Sequence, residues 1–253
     1  MSKLPMSNTL EYHVPSPRRL TRPDIAYIIP MGIFMGFTFF GGTYKSFYPL
    51  SYVLKTILVA IALFALWNYF TRIRWTHLGL GALVGVVGVF QWIGMEKLFM
   101  SHPWLSWTHF GGDLRESAFR PYEFFKDSPA LMWAFITIRW AGASLVVPVM
   151  EELFWRDFAW RTIASPNDFQ LEPVATFDRN AFLIVPLIFA TVHPQWLTAI
   201  VWALLIGWLL VKTKSLGACI VAHGVTNFLL GAYVLYSHHV WKLPREMDEW
   251  FFW

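Results

Sequence analysis

The stretch LMWAFITIRWAGASLVVPVMEELFWRDFAW, which runs from Leu131 to Trp160, carries the strongest fold signal in the sequence. As a helix it exceeds the roughly 20 residues needed to cross a bilayer, yet it contains Glu151, Glu152 and Arg156. Inserting one carboxylate at the centre of a spanning helix costs about 2.5–3.5 kcal/mol. Because that cost disfavours carboxylates that face lipid, we predict a membrane-embedded bundle in which the two glutamates point inward and have a function.

The composition of the whole chain also indicates a membrane protein. Of its 253 residues, 56% are hydrophobic and only 14% are charged, and 15 Trp and 23 Phe supply aromatic rings, which favour the membrane interface. Positively charged cytoplasmic loops explain the net charge of +4, so no nucleic-acid partner is indicated. Cys219 is the sole cysteine, which excludes an intrachain disulfide and a cysteine metal cluster.

The apolar runs predict an all-α, polytopic membrane bundle of about seven transmembrane helices, with about six or eight also compatible. Residues 1–24 are polar and lack the apolar core of a signal peptide, so we expect a cytoplasmic N-terminal segment. The bundle is expected between residues 25 and 236, and residues 237–253 are expected to form an aromatic tail at the interface. The predicted spans are Ile25–Gly42, Leu50–Phe70, Leu78–Met95, Leu131–Trp160, Ala181–His193, Trp196–Val211 and Leu216–Tyr236.

The third predicted span is rich in glycine. Small residues let two helix backbones approach closely in a membrane. We therefore expect close contact with a neighbouring helix at Gly79, Gly81, Gly85 and Gly88.

The distribution of Lys and Arg predicts the orientation. The short loops on the side of the N-terminus carry more of them than the opposite side, on which Lys55 is counted. The positive-inside rule then predicts a cytoplasmic N-terminus and an external C-terminus.

The glutamates of the fourth span have different expected partners. In a helix, Glu152 and Arg156 lie one turn apart and form an ion pair that offsets the cost of burying both. Glu151 points about 100° away and is left to act as a general base. The alternative is an Arg–Glu clamp at the membrane boundary, with Glu151 facing water.

Two later helical motifs carry histidines. Phe189 and His193 share one face of the fifth span, and His193 either holds water or a metal beside Glu151 or is an interfacial histidine next to a turn. His223 and Asn227 share one stripe of the seventh span and face the bundle interior. There they orient water or donate to an oxyanion, or they form interhelical hydrogen bonds that only stabilise the bundle.

Taken together, Glu-Glu-x-x-x-Arg, Phe-x-x-x-His and His-x-x-x-Asn on separate apolar segments resemble the CPBP family, also called ABI, of proteases related to the type II CAAX prenyl endopeptidase. The resemblance covers about Leu131 to Leu230. It implies an intramembrane endopeptidase that hydrolyses a membrane-embedded or lipid-anchored protein substrate. The implied general base is Glu151, the implied water-positioning residue is His193, and the implied oxyanion stabilisers are His223 and Asn227. Glu152, Arg156 and Phe189 have supporting roles.

The resemblance leaves the metal question and the subgroup open. Glu151, His193 and His223 are donor types that zinc or another divalent metal accepts, but a metal-free glutamate mechanism is also argued for the family. Asp157 stands where the family usually has glycine. The tail and the sequence around His223 are similar to the exosortase-associated bacterial subgroup, which implies a bacterial inner membrane and sorting-system proteins as partners.

Other functions remain as alternatives. The sequence contains no His-Glu-x-x-His motif of a site-2-type zinc protease. Ser144 follows Gly142-Ala143, but no glycine comes two residues after it as in a nucleophile elbow. Cys219 is more typical of a packing residue than of a nucleophile. Intramembrane Glu, His and Arg also occur in proton-coupled transporters, although no inverted repeat is visible. A non-catalytic scaffold or accessory protein of a sorting system is the third alternative.

Overall fold

A computed structural model describes residues 23–111, 113–242 and 247–252, so the predicted N-terminal segment 1–24 lies almost entirely outside the described residues. The prediction of an all-α, multi-pass membrane bundle is confirmed. Among the described residues, six helices are long and apolar enough to cross a membrane, and a seventh apolar helix is shorter. In chain order the seven are α1 (Asp24–Thr43), α2 (Lys45–Ala65), α3 (Leu78–Met100), α4 (Pro129–Ala164), α5 (Arg179–Ala190), α6 (Trp196–Thr213) and α7 (Leu216–Trp241).

The short helix is α5, which ends earlier than the sequence predicted. Its 12 residues span about 18 Å at 1.5 Å per residue. The chain then turns, with the His193 N–H donating to Ala190 O at 3.1 Å. Pro194 explains this end, because the residue before a proline is disfavoured in the helical region.

The helices connect two ends of the bundle. At one end, here called the N-terminal face, the Tyr27 hydroxyl donates to Asp157 and the Gly217 N–H donates to Arg74 O. At the other end, the C-terminal face, the Phe110 N–H donates to Pro194 O and Tyr122 hydrogen-bonds His239. The first and last described residues therefore lie at opposite faces.

The predicted glycine contact is formed between α3 and α7. A Cβ at Gly85 would lie 2.5 Å from Ala222 O, and one at Gly88 would lie 2.9 Å from Thr226 Oγ1. Gly81 meets the backbone of α7 in the same way. The expectation is confirmed at these three positions and is wrong for Gly79, where no atom lies within 4 Å of such a Cβ.

Helix α4 contains two wider π-helical turns, which the assumption of a regular helix did not include. They cover Gly142–Val146 and Leu153–Ala159, on either side of Val147–Glu152. Pro148 has no N–H to donate to the carbonyl four residues earlier, so the α-helical hydrogen bonds are interrupted there. Such π-turns occur frequently at functional sites.

Two parts of the chain lie elsewhere than expected. Lys55, counted with the charges of the outer side, lies within α2 and is only 7% exposed. That helix begins at Lys45 rather than Leu50, so Lys55 lies about 10 residues inside it. The C-terminal tail is not open at the surface. Residues 237–241 continue α7, and Trp250, Phe251 and Phe252 are buried.

Candidate active site

A cavity of about 390 Å³ opens among α2, α4, α7, the turn after α5 and the C-terminal tail. Its volume lies within the range of small-ligand sites, about 300–1,000 Å³. All four residues predicted to be catalytic line it, although they come from three separate segments of the chain: Glu151, His193, His223 and Asn227.

Glu151 faces this cavity from the short α-helical stretch between the two π-turns. The residue is 6% exposed, and its Oε2 atom has no hydrogen-bond partner among the described residues. His193 and Lys55 both lie within electrostatic range of its carboxylate. A buried carboxylate oxygen without a protein partner is costly, which favours a role in binding water or substrate.

Glu152 has a different environment, although it is the next residue. Its Oε2 lies 3.3 Å from Arg156 Nε, which confirms the predicted ion pair. Its Oε1 lies 2.9 Å from His223 Nδ1, a contact that the sequence did not predict. Because an ionised carboxylate only accepts, Nδ1 of His223 carries the proton and its Nε2 is the atom left for other contacts.

Arg156 is enclosed by aromatic rings. Its guanidinium carbon lies 5.2 Å from the centre of the Phe189 ring and 5.6 Å from that of Trp202, distances typical of cation–π contacts. Trp202 also makes an edge contact with His223 at 4.6 Å. Arg156 therefore connects α4 to α5 and α6 behind the cavity.

His193 is held at the end of α5 by two contacts with Phe189. The rings stack with centroids 4.2 Å apart, and His193 Nδ1 lies 2.9 Å from Phe189 O. Since a carbonyl oxygen only accepts, Nδ1 carries the proton and Nε2 of the neutral ring is an acceptor. Phe189 thus fixes the position of the His193 ring.

Asn227 lies one turn after His223 on α7. Its Nδ2 donates to Ala143 O at 2.8 Å, in the first π-turn of α4. An amide nitrogen has two N–H groups, so a second donor remains. Three segments of the chain thus bring one carboxylate, two imidazoles and one amide to one cavity.

Residues 133–229 match the family model of the type II CAAX prenyl endopeptidase Rce1-like proteins. The resemblance inferred from the motifs is confirmed for this segment. The Rce1-like segment includes every residue of the predicted site and supports a membrane-embedded endopeptidase in general terms. No curated protein and no solved structure matches the chain.

The Rce1-like segment does not present the predicted metal ligands as a cluster. Among the residues that the structure describes, no group of three or more His, Cys, Asp or Glu side chains is arranged to hold a metal ion. Within this set, one potential donor, Nδ1 of His223, is directed at Glu152, and Glu152 is paired with Arg156. The three predicted ligands thus line one cavity, but among the described residues they do not form a preassembled metal cluster.

Asp157, the departure from the family pattern, lies outside the cavity. It is fully buried, accepts from Tyr27 at 2.8 Å and pairs with Arg161 at 2.6 Å. Thr71 also donates to it at 3.3 Å. In this chain the position therefore joins α4 to α1 and to the segment after α2 at the N-terminal face.

Sequence reasoning missed two buried cationic residues of the cavity wall, Lys55 and Arg139. Arg139 falls within the predicted fourth span but was given no role, and Lys55 falls within the predicted second span but was counted with the outer charges. The signal that identifies both is an ionisable residue inside an apolar helix. Lys55 lies outside the matched residues 133–229, so the family motifs do not include it.

Proposed function

We propose that the chain is an intramembrane endopeptidase in which Glu151 activates water for attack on a peptide bond. One observation carries the proposal: the Glu151 carboxylate faces a buried cavity that it shares with His193 and His223. Hydrolysis within a membrane needs a polar cavity that admits water, because bulk water is absent from the lipid. The Rce1-like match supports the same reaction class.

The attacking water is positioned by two acceptors. Nε2 of His193 accepts one of its hydrogens, and the Glu151 carboxylate accepts the other, so an oxygen lone pair is directed at the scissile carbonyl. As the new C–O bond forms, Glu151 takes the proton. General-base catalysis of this kind contributes about 10²–10⁴ in rate.

The tetrahedral intermediate is stabilised by Asn227, whose second Nδ2 hydrogen donates to the oxyanion. Removing one such donor typically costs about 10²–10³ in rate. Protonated Glu151 then gives its proton to the leaving amine as the C–N bond breaks. His223 donates through Nε2 only when its ring is doubly protonated; as the neutral ring it is a further acceptor in the site.

The substrate is a membrane-embedded or lipid-anchored protein. We place the enzyme in a bacterial inner membrane with its N-terminus in the cytoplasm, because Lys and Arg are more frequent in the short loops of that side. Sorting-system proteins are the proposed partners, on the basis of the similarity to the exosortase-associated subgroup.

The deciding experiment uses the full chain in lipid nanodiscs with a panel of membrane-spanning and lipidated peptides. New peptide termini are detected by mass spectrometry. Glu151→Gln is expected to reduce cleavage at least about 10²-fold with an unchanged melting temperature. The control is Glu172→Gln, in the loop before α5, which is expected to retain activity, and a metal chelator is expected to have no effect.

The same samples separate the alternatives. Cleavage that persists in Glu151→Gln contradicts the glutamate mechanism, and loss of cleavage on chelation contradicts a mechanism in which Glu151 acts without a metal. Substrate-dependent proton flux in vesicles, without cleavage, indicates a transporter. A folded Glu151→Gln protein without any cellular phenotype indicates a scaffold.

A further inference from the structure

Lys55 is a buried cation in the wall of the cavity. It lies on α2, is 7% exposed, and its ammonium donates to Thr38 Oγ1 at 3.1 Å. The ammonium also lies 4.3 Å from the centre of the Phe34 ring and 4.4 Å from that of Tyr52. These contacts use one of its three N–H donors in a hydrogen bond, so donors remain for a further partner.

The residues that the structure describes form no salt bridge to Lys55, although Glu151 lies within electrostatic range. Cation–π contacts and one hydroxyl recover part of the cost of removing an ammonium from water. An ionisable residue inside a membrane helix is by default functional. Lys55 therefore has the position and the unused donors of a binding group.

Arg139 adds a second positive charge to the same wall. It lies on α4, is 5% exposed, and also lines the cavity. Its guanidinium carbon lies 5.4 Å from the ring centres of Tyr48 and Tyr52, and the Tyr52 hydroxyl donates to the Arg139 carbonyl at 3.3 Å. Tyr52 thus contacts both side chains, which act on each other electrostatically, and Glu151 also acts on Lys55. Two positive charges in a buried site repel each other, so a further negative group beside them is favourable.

The charged and polar side chains of the cavity wall fall into two sets by chemistry. Glu151, His193, His223 and Asn227 carry the proposed hydrolysis, and Lys55 and Arg139 are the buried cationic set. Aromatic side chains such as Trp92 and Phe119 line the same cavity. A ligand that contacts both the aromatic wall and the cationic set therefore has an apolar body and a negative group.

We infer that Lys55, with Arg139, forms a subsite for an anionic group of the substrate, either a carboxylate or a phosphate. The inference rests on the proposed function, because it gives the peptidase cavity its specificity. A carboxylate comes from the end of a peptide chain, and a phosphate comes from a lipid headgroup. In both cases the anion fixes the distance between itself and the bond that is cleaved.

The test is equilibrium binding rather than cleavage, so that it is independent of the hydrolytic step. Purified full-length protein in neutral nanodiscs is titrated with the tripeptide N-acetyl-Ile-Phe-Leu as the free acid and as the C-terminal amide. A second pair, decyl phosphate and decanol, tests the phosphate source. The readout is the quenching of tryptophan fluorescence or isothermal titration calorimetry.

We expect one anion to bind about tenfold more tightly than its neutral counterpart, as one charge-assisted hydrogen bond in a buried site provides. Lys55→Met is expected to reduce that preference to within about twofold, and Lys55→Arg is expected to retain it. Lys212→Met, at an exposed lysine of α6 outside the cavity, is the matched control. Preference for the acid assigns the site to a chain end, and preference for the phosphate assigns it to a headgroup.

The inference is overturned if the wild-type protein binds neither anion more tightly than its neutral counterpart. This comparison requires no variant. It is also overturned if the preference survives in a folded Lys55→Met protein. Either result leaves hydrolysis by Glu151 unaffected. Conversely, anion binding by a protein that cleaves nothing supports the subsite and contradicts the peptidase.

Discussion

Adjacent residues of the same type have different surroundings in this protein. Glu152 is fully buried between Arg156 and His223, whereas Glu151 has an oxygen without a hydrogen-bond partner and faces the cavity. The sequence predicted the first pair from helical spacing alone. It did not predict the contact with His223, because 71 residues separate the two positions and only the packing of α7 against α4 brings them together.

At the residue scale, the Glu152–Arg156 pair should support the fold rather than the reaction. We expect Arg156→Met to lower the free energy of unfolding by about 3–5 kcal/mol, because removing one partner leaves a buried carboxylate uncompensated. Denaturation in mixed micelles, followed by circular dichroism, measures the change. The control is Arg179→Met at the exposed start of α5, which should stay within about 0.5 kcal/mol. A stable Arg156→Met protein would show that Glu152 does not depend on this partner.

At the scale of the helix, apolar run length predicted six spans to within about five residues at each end, because about 20 apolar residues must cover the bilayer. The π-turns of α4 were not predicted, since Pro148 signals an interruption but not which type of turn accommodates it. The start of α2 was placed at Leu50, five residues too late, and Lys55 was counted with the outer charges although it falls inside the predicted span.

Close packing of α3 against α7 gives a prediction for the glycines. Gly85→Ala places a methyl carbon 2.5 Å from Ala222 O, so the helices must separate, at a cost of about 1–3 kcal/mol. Since α7 carries His223 and Asn227, cleavage should fall as well. Gly94→Ala in the same helix meets nothing within 4 Å and is the matched control. Thermal unfolding in nanodiscs compares the two, and equal melting temperatures would contradict tight packing at Gly85.

At the scale of the whole molecule, the site is assembled from segments that only the tertiary fold brings together. The motifs predicted Glu151, His193, His223 and Asn227 as one set, and the structure places them around one cavity. The rest of its wall includes parts of the chain that have no motif, among them α2 and the C-terminal tail. Their positions depend on packing and on long-range ion pairs, and a single sequence contains no local signal for either.

The C-terminal tail, which forms part of the cavity wall, gives a prediction about substrate binding. Arg120 Nε donates to the Asp248 carboxylate at 2.5 Å, and Gln195 Nε2 donates to Phe251 O at 3.2 Å. These two hydrogen bonds hold Trp250 and Phe251 at the cavity wall. Asp248→Asn weakens this anchor, so we expect KM to rise about threefold to tenfold while kcat stays within about twofold, the pattern of lost uniform binding. Asp168→Asn, exposed in the loop before α5, serves as the control. A fall in kcat with KM unchanged would instead place the tail in the chemical step.

The orientation of the bundle gives the last prediction. The loop between α4 and α5 lies at the N-terminal face, where Lys214 donates to Ala175 O and Arg161 Nη1 to Glu172 O. The loop before α4 lies at the C-terminal face. Cys219, the sole cysteine, is buried, so it should contribute little background to thiol labelling.

We therefore expect a membrane-impermeant maleimide to label Lys126→Cys in intact spheroplasts and to label Asn167→Cys only after the membrane is opened. Both positions are exposed, so a difference in labelling between them reports the side of the membrane on which each lies and not a difference in burial. The positive-inside rule predicts this result, since Arg72, Arg74, Arg179, Lys212 and Lys214 gather at the face of Asn167. The reverse pattern would place the N-terminus outside and move the mouth of the cavity, lined by Lys45 and the tail, to the cytoplasm.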